Sequence, residues 1–198
     1  MSNQYFENNP NLVHKEYSLS LYYLGHEMKF KSDNGVFSKN QVDEGSNLLL
    51  KNIPHITFKN VLDVGCGIGI IGLSYAKAFS DSFVDLIDVN ENAVELTKAN
   101  ILMNDLSNAK AFISDIYQNI NQKYDLIVTN PPIRAGKQVV LQILDGAVNY
   151  LKEDGILMCV IRTNHGAKSY YKHLTELYKY VEVVTKENDY WIFKVRNK

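Results

Sequence analysis

The sequence Thr129-Asn130-Pro131-Pro132-Ile133 follows an apolar segment, YDLIV, that is typical of a strand. Two consecutive prolines remove two backbone donors and fix two φ angles, so the turn is rigid and rich in acceptors. The Asn130 side-chain oxygen and the Pro131 carbonyl can together hold both hydrogens of an amino group on an aromatic ring and aim its lone pair. We predict that Asn130, Pro131 and Pro132 form a catalytic turn for direct in-line alkylation of such a nitrogen. The alternative is an ordinary strand-to-helix turn, because Asn-Pro is a common turn pair.

A glycine-rich loop, VLDVGCGIG, ends a strand and opens a helix. Gly67, Gly69 and Gly72 also match the dinucleotide fingerprint, but Asp63 precedes the loop and would repel a pyrophosphate bound at this helix start. S-adenosylmethionine (SAM) carries an ammonium and a sulfonium and no phosphate, so an acid here favours SAM over a dinucleotide. The alternative is that Asp63 only caps the loop by accepting backbone N–H groups.

Two further acids follow strand candidates. Asp88 ends FVDLID about twenty residues after Gly69, the spacing of an acid that accepts hydrogen bonds from ribose hydroxyls. The alternative is an N-cap for the next helix, a role for which Asn90 is also placed. Asp115 ends AFISD and is predicted to accept from an adenine amino group, with Ile116 against the ring; otherwise it is a solvated loop acid.

The elements that must position these residues alternate between strand and helix patterns from Asn60 onward, with seven strand candidates. Alternation implies right-handed crossovers and a mainly parallel sheet covered on both faces, with the ligand beyond the carboxyl ends of the strands. Asn188-Asp189 joins the last two strands as a hairpin, so one runs antiparallel. We predict an α/β, Rossmann-like, seven-stranded, mostly parallel sheet with an antiparallel last strand and helices on both faces. An N-terminal β-hairpin around Gly25 precedes it, and a helix ended by Pro54 follows the hairpin.

Length and composition limit the classes of protein. With 198 residues, 45% of them hydrophobic, the chain is expected to be one domain, comprising an extension at 1–40 and a core at 41–198. The net charge of −1 is low for a dedicated nucleic-acid-binding domain, so any RNA contact must come from a local patch. Cys66 and Cys159 form no C-x-x-C pair, so neither a disulfide framework nor a metal site is expected. No signal peptide or membrane span is apparent, and we expect a cytoplasmic protein without membrane contact.

The segments VLDVGCGIG, LIDVNENAVELTKAN, SDIY and TNPPIRAGK together resemble class I SAM-dependent methyltransferases. GVFSKNQVDEGSNLLL is similar to the small-domain, RsmC-like group that methylates the exocyclic amino group of guanine in small-subunit rRNA. The resemblance implies the class I methyltransferase fold, SAM as cofactor, and RNA, as small-subunit rRNA or the small ribosomal subunit, as partner. The positions matching the cofactor site are Asp63, Gly65, Gly67, Asp88 and Asp115, and the predicted set also contains Cys66, Gly69, Val89, Ile116 and Asn130.

The predicted substrate contacts lie on either side of the cofactor motifs. Phe37 and Ser38 match a segment that closes over the cofactor, and with Ile133, Arg134 and Lys137 they form the substrate-binding set. Many amino-methylating enzymes, DNA adenine and protein glutamine methyltransferases among them, have an aromatic residue at the position of Ile133. The aliphatic side chain here therefore argues against those two classes. A basic rim is expected from Arg134, Lys137, Arg162, His165, Lys168, Lys31 and Lys39, with scattered solvated charge as the alternative. Tyr17, Tyr22 and Tyr23 are expected to pack the hairpin, with base stacking as the alternative.

Three other functions share parts of these motifs. A protein or small-molecule amino methyltransferase would share every cofactor residue and differ only at the rim. An NAD-dependent oxidoreductase would use the same glycine spacing, and a catalytically inactive SAM-binding module would keep the fold. The favoured hypothesis is methylation of guanine N2 in small-subunit rRNA.

Overall fold

The computed structural model of this protein describes residues 15–34, 36 and 41–196. Predictions that fall on Phe37, Ser38 and Lys39 lie outside the described residues. The first elements are strands β1 (Tyr17–Tyr23) and β2 (His26–Ser32), which pair antiparallel and turn at Leu24 and Gly25. The predicted N-terminal hairpin is therefore confirmed.

A second sheet contains the seven strands predicted after Asn60: β3 (Asn60–Val64), β4 (Phe83–Asp88), β5 (Ala109–Ile113), β6 (Tyr124–Thr129), β7 (Leu151–Arg162), β8 (Tyr180–Glu187) and β9 (Tyr190–Arg196). Their order is β5-β4-β3-β6-β7-β9-β8. Strands β3 to β7 pair in parallel, and β9 is antiparallel to both of its neighbours. The strand order reverses at β3 and β6, which is where a ligand crevice forms in such sheets.

The helices are α1 (Glu44–Asn52), α2 (Ile70–Ala78), α3 (Glu91–Met103), α4 (Lys137–Tyr150) and α5 (Ala167–Leu177). One apolar cluster joins α1, α2, α3 and the hairpin to one face of the sheet, and a second joins α4 and α5 to the other. Within β3, Val61 packs into the first cluster and Leu62 into the second. This two-sided burial explains why the strands are apolar runs rather than alternating patterns. The predicted fold class is confirmed.

Two strand boundaries differ from the sequence prediction. Strand β7 begins at Leu151 rather than at Gly155, because Leu151 pairs with Tyr124 before the register shifts and Ile156 pairs opposite Leu126. Strand β5 ends at Ile113, so Asp115 lies in the loop that follows the strand and not at its last position.

The hairpin is fixed to α3 by two asparagines one helical turn apart. Asn104 accepts from the backbone N–H of Lys29 at 2.9 Å and donates to its carbonyl at 2.7 Å. Asn100 makes the same pair of bonds to Lys31, at 2.7 Å and 3.1 Å, and also donates to the carbonyl of Ile68 at 3.0 Å. The two amides satisfy an edge of β2, and Asn100 links the hairpin to the glycine-rich loop.

The hairpin tyrosines have different environments. Tyr23 is buried in the apolar cluster, as expected for hairpin packing, and Tyr17 is half-buried and donates from its hydroxyl to Asn34. Tyr22 is 71% exposed, so packing does not account for it.

Candidate active site

A cavity of about 320 Å³ lies at the carboxyl ends of β3, β4, β6 and β7. Pockets that hold small ligands begin at about this size. Most of the predicted site residues line it: Asp63, Gly65, Cys66, Gly67, Asp88, Val89, Asp115, Ile116, Asn130, Pro131, Pro132, Ile133 and Arg134. Gly69 and Lys137 are described but do not line it: Gly69 is the residue before α2, and Lys137 is exposed at the start of α4.

The glycine-rich loop is held against β4 by its backbone. The N–H groups of Gly65 and Cys66 both donate to the carbonyl of Ile87, at 2.9 Å. Gly67 has a φ of +56°, and no atom lies within 4 Å of the position that a Cβ would occupy there. A side chain at Gly67 would therefore be strained and would occupy cavity space, whereas glycine leaves the backbone open to a ligand.

The two carboxylate oxygens of Asp63 have different environments. Oδ2 accepts from the backbone N–H of Gly72 at 2.8 Å, so Asp63 does accept a backbone N–H, as the alternative interpretation of the sequence required. Oδ1 is buried, and no donor reaches it within the described part of the chain. Burial raises the pKa of Asp63 to about 7, against the lowering effect of the Gly72 N–H, and the nearby Asp88 raises it further. A buried carboxyl with one unsatisfied oxygen on a cavity wall suits a cationic ligand group.

Asp88 is oriented by two backbone donors. Its Oδ1 accepts from Asn90 and its Oδ2 from Gly67, both at 2.9 Å. Burial raises its pKa, while these N–H groups oppose the shift. Asn90, and not Asp88, caps α3 by accepting from the N–H of Ala93, as the sequence predicted. Each Asp88 oxygen keeps a lone pair for a ligand donor such as a hydroxyl.

The loop after β5 places Asp115 and Ile116 on the same cavity. Ser114 fixes the loop: its N–H donates to the Asp88 carbonyl at 3.0 Å, and its hydroxyl donates to the carbonyl of Ile116 at 2.9 Å. Asp115 is exposed, and Ile116 adopts a φ of +48° that is uncommon for a β-branched residue. Loop contacts, rather than the end of the strand, therefore hold Asp115 and Ile116, for which the sequence predicted contacts to adenine.

The Asn-Pro-Pro turn faces the cavity beside the glycine-rich loop. Asn130 donates from Nδ2 to Asp43 Oδ2 at 2.6 Å and to Ser46 Oγ at 3.0 Å. Both amide hydrogens are thus engaged, and the acceptor Oδ1 is the atom left for a ligand. The Pro131 carbonyl already accepts from the N–H of Ile133 at 2.8 Å, which leaves it one lone pair. The turn retains two acceptors, although one of them is shared.

The cavity is also lined by residues that the sequence analysis did not predict as part of the site. Asp43, Ser46 and Tyr190 line it, together with Arg162 and His165 of the expected basic rim. The guanidinium of Arg162 lies 5.0 Å from the centre of the Tyr190 ring, and its Nε is buried with no acceptor among the described residues. Lys31 and Lys168 are exposed and do not line the cavity.

Across residues 15–34, 36 and 41–196, His, Cys, Asp and Glu nowhere form a group of three or more that could hold a metal ion. In the same ranges, every helix is too short or too polar to cross a membrane.

Comparisons with known proteins show which family this chain resembles along most of its length. The family model described as methyltransferase small domain matches residues 27–194. A Bacillus subtilis protein, YbxB, whose function is uncharacterised, is 41% identical over 99% of both chains. The ribosomal RNA small subunit methyltransferase C of Psychromonas ingrahamii is 35% identical over 68% of this chain but only 39% of its own length.

The fold has a solved counterpart. The structure of the Thermus thermophilus 16S rRNA N2 G1207 methyltransferase RsmC, in complex with AdoMet and guanosine, superposes with a TM-score of 0.84 at 24% identity. That match covers 97% of this chain and 53% of the other, so this chain spans about half the length of that enzyme. On the family model and the full-length similarity, the chain belongs to the methyltransferase small-domain family.

Proposed function

We propose that this SAM-dependent methyltransferase methylates an exocyclic amino group of an RNA base, and specifically N2 of guanine in small-subunit rRNA. One observation carries the proposal. A single cavity places the acceptors of Asn130 and Pro131 in the same space as Asp63, Asp88 and Asp115. A cation-binding wall and an amino-orienting turn are the two parts that methylation of an aromatic amine requires.

The residues present fit the cofactor. Asp63 Oδ1 is buried without a donor in the described chain, and the open space over Gly67 leaves room beside it. In the proposed site, Asp63 and the loop at Gly65 to Gly67 hold the methionine part, Asp88 accepts from the ribose, and Asp115 with Ile116 contacts the adenine. Bound SAM supplies a methyl group made electrophilic by its sulfonium.

The turn supplies orientation and charge stabilisation. Asn130 Oδ1 and the free lone pair of the Pro131 carbonyl each accept one hydrogen of the substrate amino group. Held in this way, the nitrogen becomes pyramidal and its lone pair points into the cavity, which reduces the entropy cost of reaching the reactive geometry. The same oxygens stabilise positive charge as it develops on nitrogen. No strong base is needed, because the nitrogen is acidic only after it has become cationic and then loses its proton to water.

Three groups on the cavity support a nucleic-acid substrate. Arg134, Arg162 and His165 line it on the side of the Asn-Pro-Pro turn and the end of β7. Arginine binds phosphate bidentately and stacks on bases, and Arg162 has a buried Nε without an acceptor in the described chain. The net charge of −1 means that such contacts are local. The similarity to rRNA small subunit methyltransferases C, and to RsmC in fold, supports the same substrate class.

The test offers the purified protein SAM labelled in its methyl group together with three acceptors. These are assembled small ribosomal subunits from cells that lack the protein, naked small-subunit rRNA, and total cell protein. We expect label in RNA, recovered after digestion as N2-methylguanosine, and a rate of transfer about a hundredfold or more lower in the Asn130→Ala variant. Label in protein or in small molecules alone would refute the RNA proposal and favour an amino methyltransferase of another substrate class.

A further inference from the structure

Asn130 is held by residues at the start of α1, far away in sequence. Asp43 and Ser46 both bond its amide nitrogen, and all three residues line the cavity. We propose that Asp43 is a positioning residue that fixes which way the Asn130 carboxamide faces, so that its oxygen and not its nitrogen meets the substrate amino group. This inference rests on the role proposed above for Asn130.

The chemistry of the partner determines the orientation of the amide. Asp43 Oδ2 is an acceptor without a hydrogen of its own, and it lies 2.6 Å from Asn130 Nδ2. If the amide were rotated by half a turn, Oδ1 would face the carboxylate and the two oxygens would repel each other. Ser46 Oγ, at 3.0 Å, accepts the second amide hydrogen. An isolated asparagine presents either atom to a ligand, whereas this one presents an acceptor.

Asp43 is itself held in place from two sides. The same Oδ2 accepts from the backbone N–H of Ser46 at 2.8 Å, which makes Asp43 the N-cap of α1. Gly45 lies so close to the ring of Tyr190 that a Cβ there would be 3.0 Å from Cε1 and 3.3 Å from an Asp43 oxygen. The start of α1 is therefore packed tightly against β9, and Asp43 cannot move far from Asn130.

The negative charge of Asp43 has a second effect. A carboxylate on the nitrogen side polarises the amide and increases the negative charge on Oδ1, because hydrogen bonds in series strengthen one another. Oδ1 then stabilises a nitrogen that becomes positive during transfer better than an unassisted amide would. Loss of Asp43 should consequently lower kcat and leave the affinity for SAM nearly unchanged.

The substitution must separate orientation from helix capping. Asp43→Ser keeps a good N-cap but is too short to reach Asn130, and Asp43→Asn keeps the size and the cap but removes the charge. The matched control is Glu44→Gln, which removes the neighbouring exposed charge in the first turn of α1, outside the cavity. We expect kcat to fall by about tenfold or more in Asp43→Ser, with the SAM Kd within about threefold of wild type, and Glu44→Gln to match wild type.

A double-mutant cycle tests whether Asp43 acts through Asn130. In an Asn130→Ala background, Asp43→Ser should cause no further loss of kcat, because the group that it positions is gone. An unchanged kcat in Asp43→Ser, or an equal loss in both backgrounds, would overturn the inference.

A second measurement needs no substrate. In proton–nitrogen NMR spectra, the side-chain amide pair of Asn130 is assigned by its disappearance in Asn130→Ala. This pair should shift in Asp43→Ser and stay in place in Glu44→Gln, and an unshifted pair in Asp43→Ser would contradict the inference. Failure of the wild type to methylate RNA would count against the proposed function alone, while the amide resonances would still decide the role of Asp43.

Discussion

The raised pKa of Asp63 predicts how SAM affinity depends on pH. Burial, assisted by Asp88, moves the pKa of Asp63 from its ordinary value of 3.8 to about 7. The ionised carboxyl attracts a cationic donor and the neutral carboxyl does not. At a pH below the pKa of Asp63, the binding of SAM must therefore include the free-energy cost of ionising this carboxyl. The ionised fraction rises from about a tenth at roughly pH 6 to about nine tenths at roughly pH 8, so this group should strengthen binding about tenfold over that range.

The assay is isothermal titration calorimetry of SAM with the wild type and with Asp63→Asn at several pH values. Because the donor has a titrating amino group of its own, the informative quantity is the ratio of the two dissociation constants at each pH. We expect the advantage of wild type over Asp63→Asn to grow about tenfold between roughly pH 6 and 8. A ratio that stays constant with pH would refute the reasoning that a buried, protonated Asp63 must ionise to hold the donor.

The raised pKa of Asp63 also makes the free energy of unfolding of the SAM-free protein depend on pH, in a direction that follows from the sign of the shift. The folded state holds the Asp63 proton to a higher pH than the unfolded state does. Protonated Asp63 thus contributes to the free energy of unfolding below about pH 3.8, and this contribution is lost as the pH rises towards about 7. Thermal unfolding of the SAM-free protein should therefore show a stability that falls over this window by more in the wild type than in Asp63→Asn.

Three further predictions concern single side chains. Asn130→Ala should reduce kcat by about a hundredfold or more while SAM affinity stays within a few-fold, measured by single-turnover kinetics and calorimetry; unchanged turnover would remove Asn130 from the mechanism. Asp88→Ala should weaken SAM binding by about 1–3 kcal/mol through unpaired ribose hydroxyls, with a smaller loss in Asp88→Asn; unaltered binding would exclude the ribose contact. Asn100→Ala removes the hydrogen-bond partner of the Lys31 N–H and of the Lys31 and Ile68 carbonyls, and should lower the free energy of unfolding measured in urea by about 1–3 kcal/mol; a change below about 0.5 kcal/mol would show that the bonds between Asn100 and the hairpin are not stabilising.

The sequence predicted the parts of the fold that have a local signal. Alternating apolar strands and helices identified the seven strands, and Asn188-Asp189 identified the turn that makes β9 antiparallel. Asn90 was recognisable as a cap because its position relative to the next helix is a local property. The glycine-rich loop was likewise recognisable, since glycines at a strand-to-helix junction mark close approach of a ligand.

Long-range contacts were not predictable in the same way. Asp43 and Asn130 are 87 positions apart, and no periodicity links them, although Asp43 shows the signature of an N-cap before an apolar helix. The separate roles of the two Asp63 oxygens depend on where the Gly72 N–H lies after packing. Gly69 shares the glycine pattern but starts α2 outside the cavity wall, because spacing alone does not tell a ligand contact from a helix start.

The most direct test of the central claim is mass-spectrometric mapping of methylated nucleosides in small-subunit rRNA from cells lacking this protein. We expect the loss of one N2-methylguanosine, restored by the wild-type gene and not by Asn130→Ala. A small-subunit rRNA with the same methylated nucleosides in the presence and absence of the protein would contradict it.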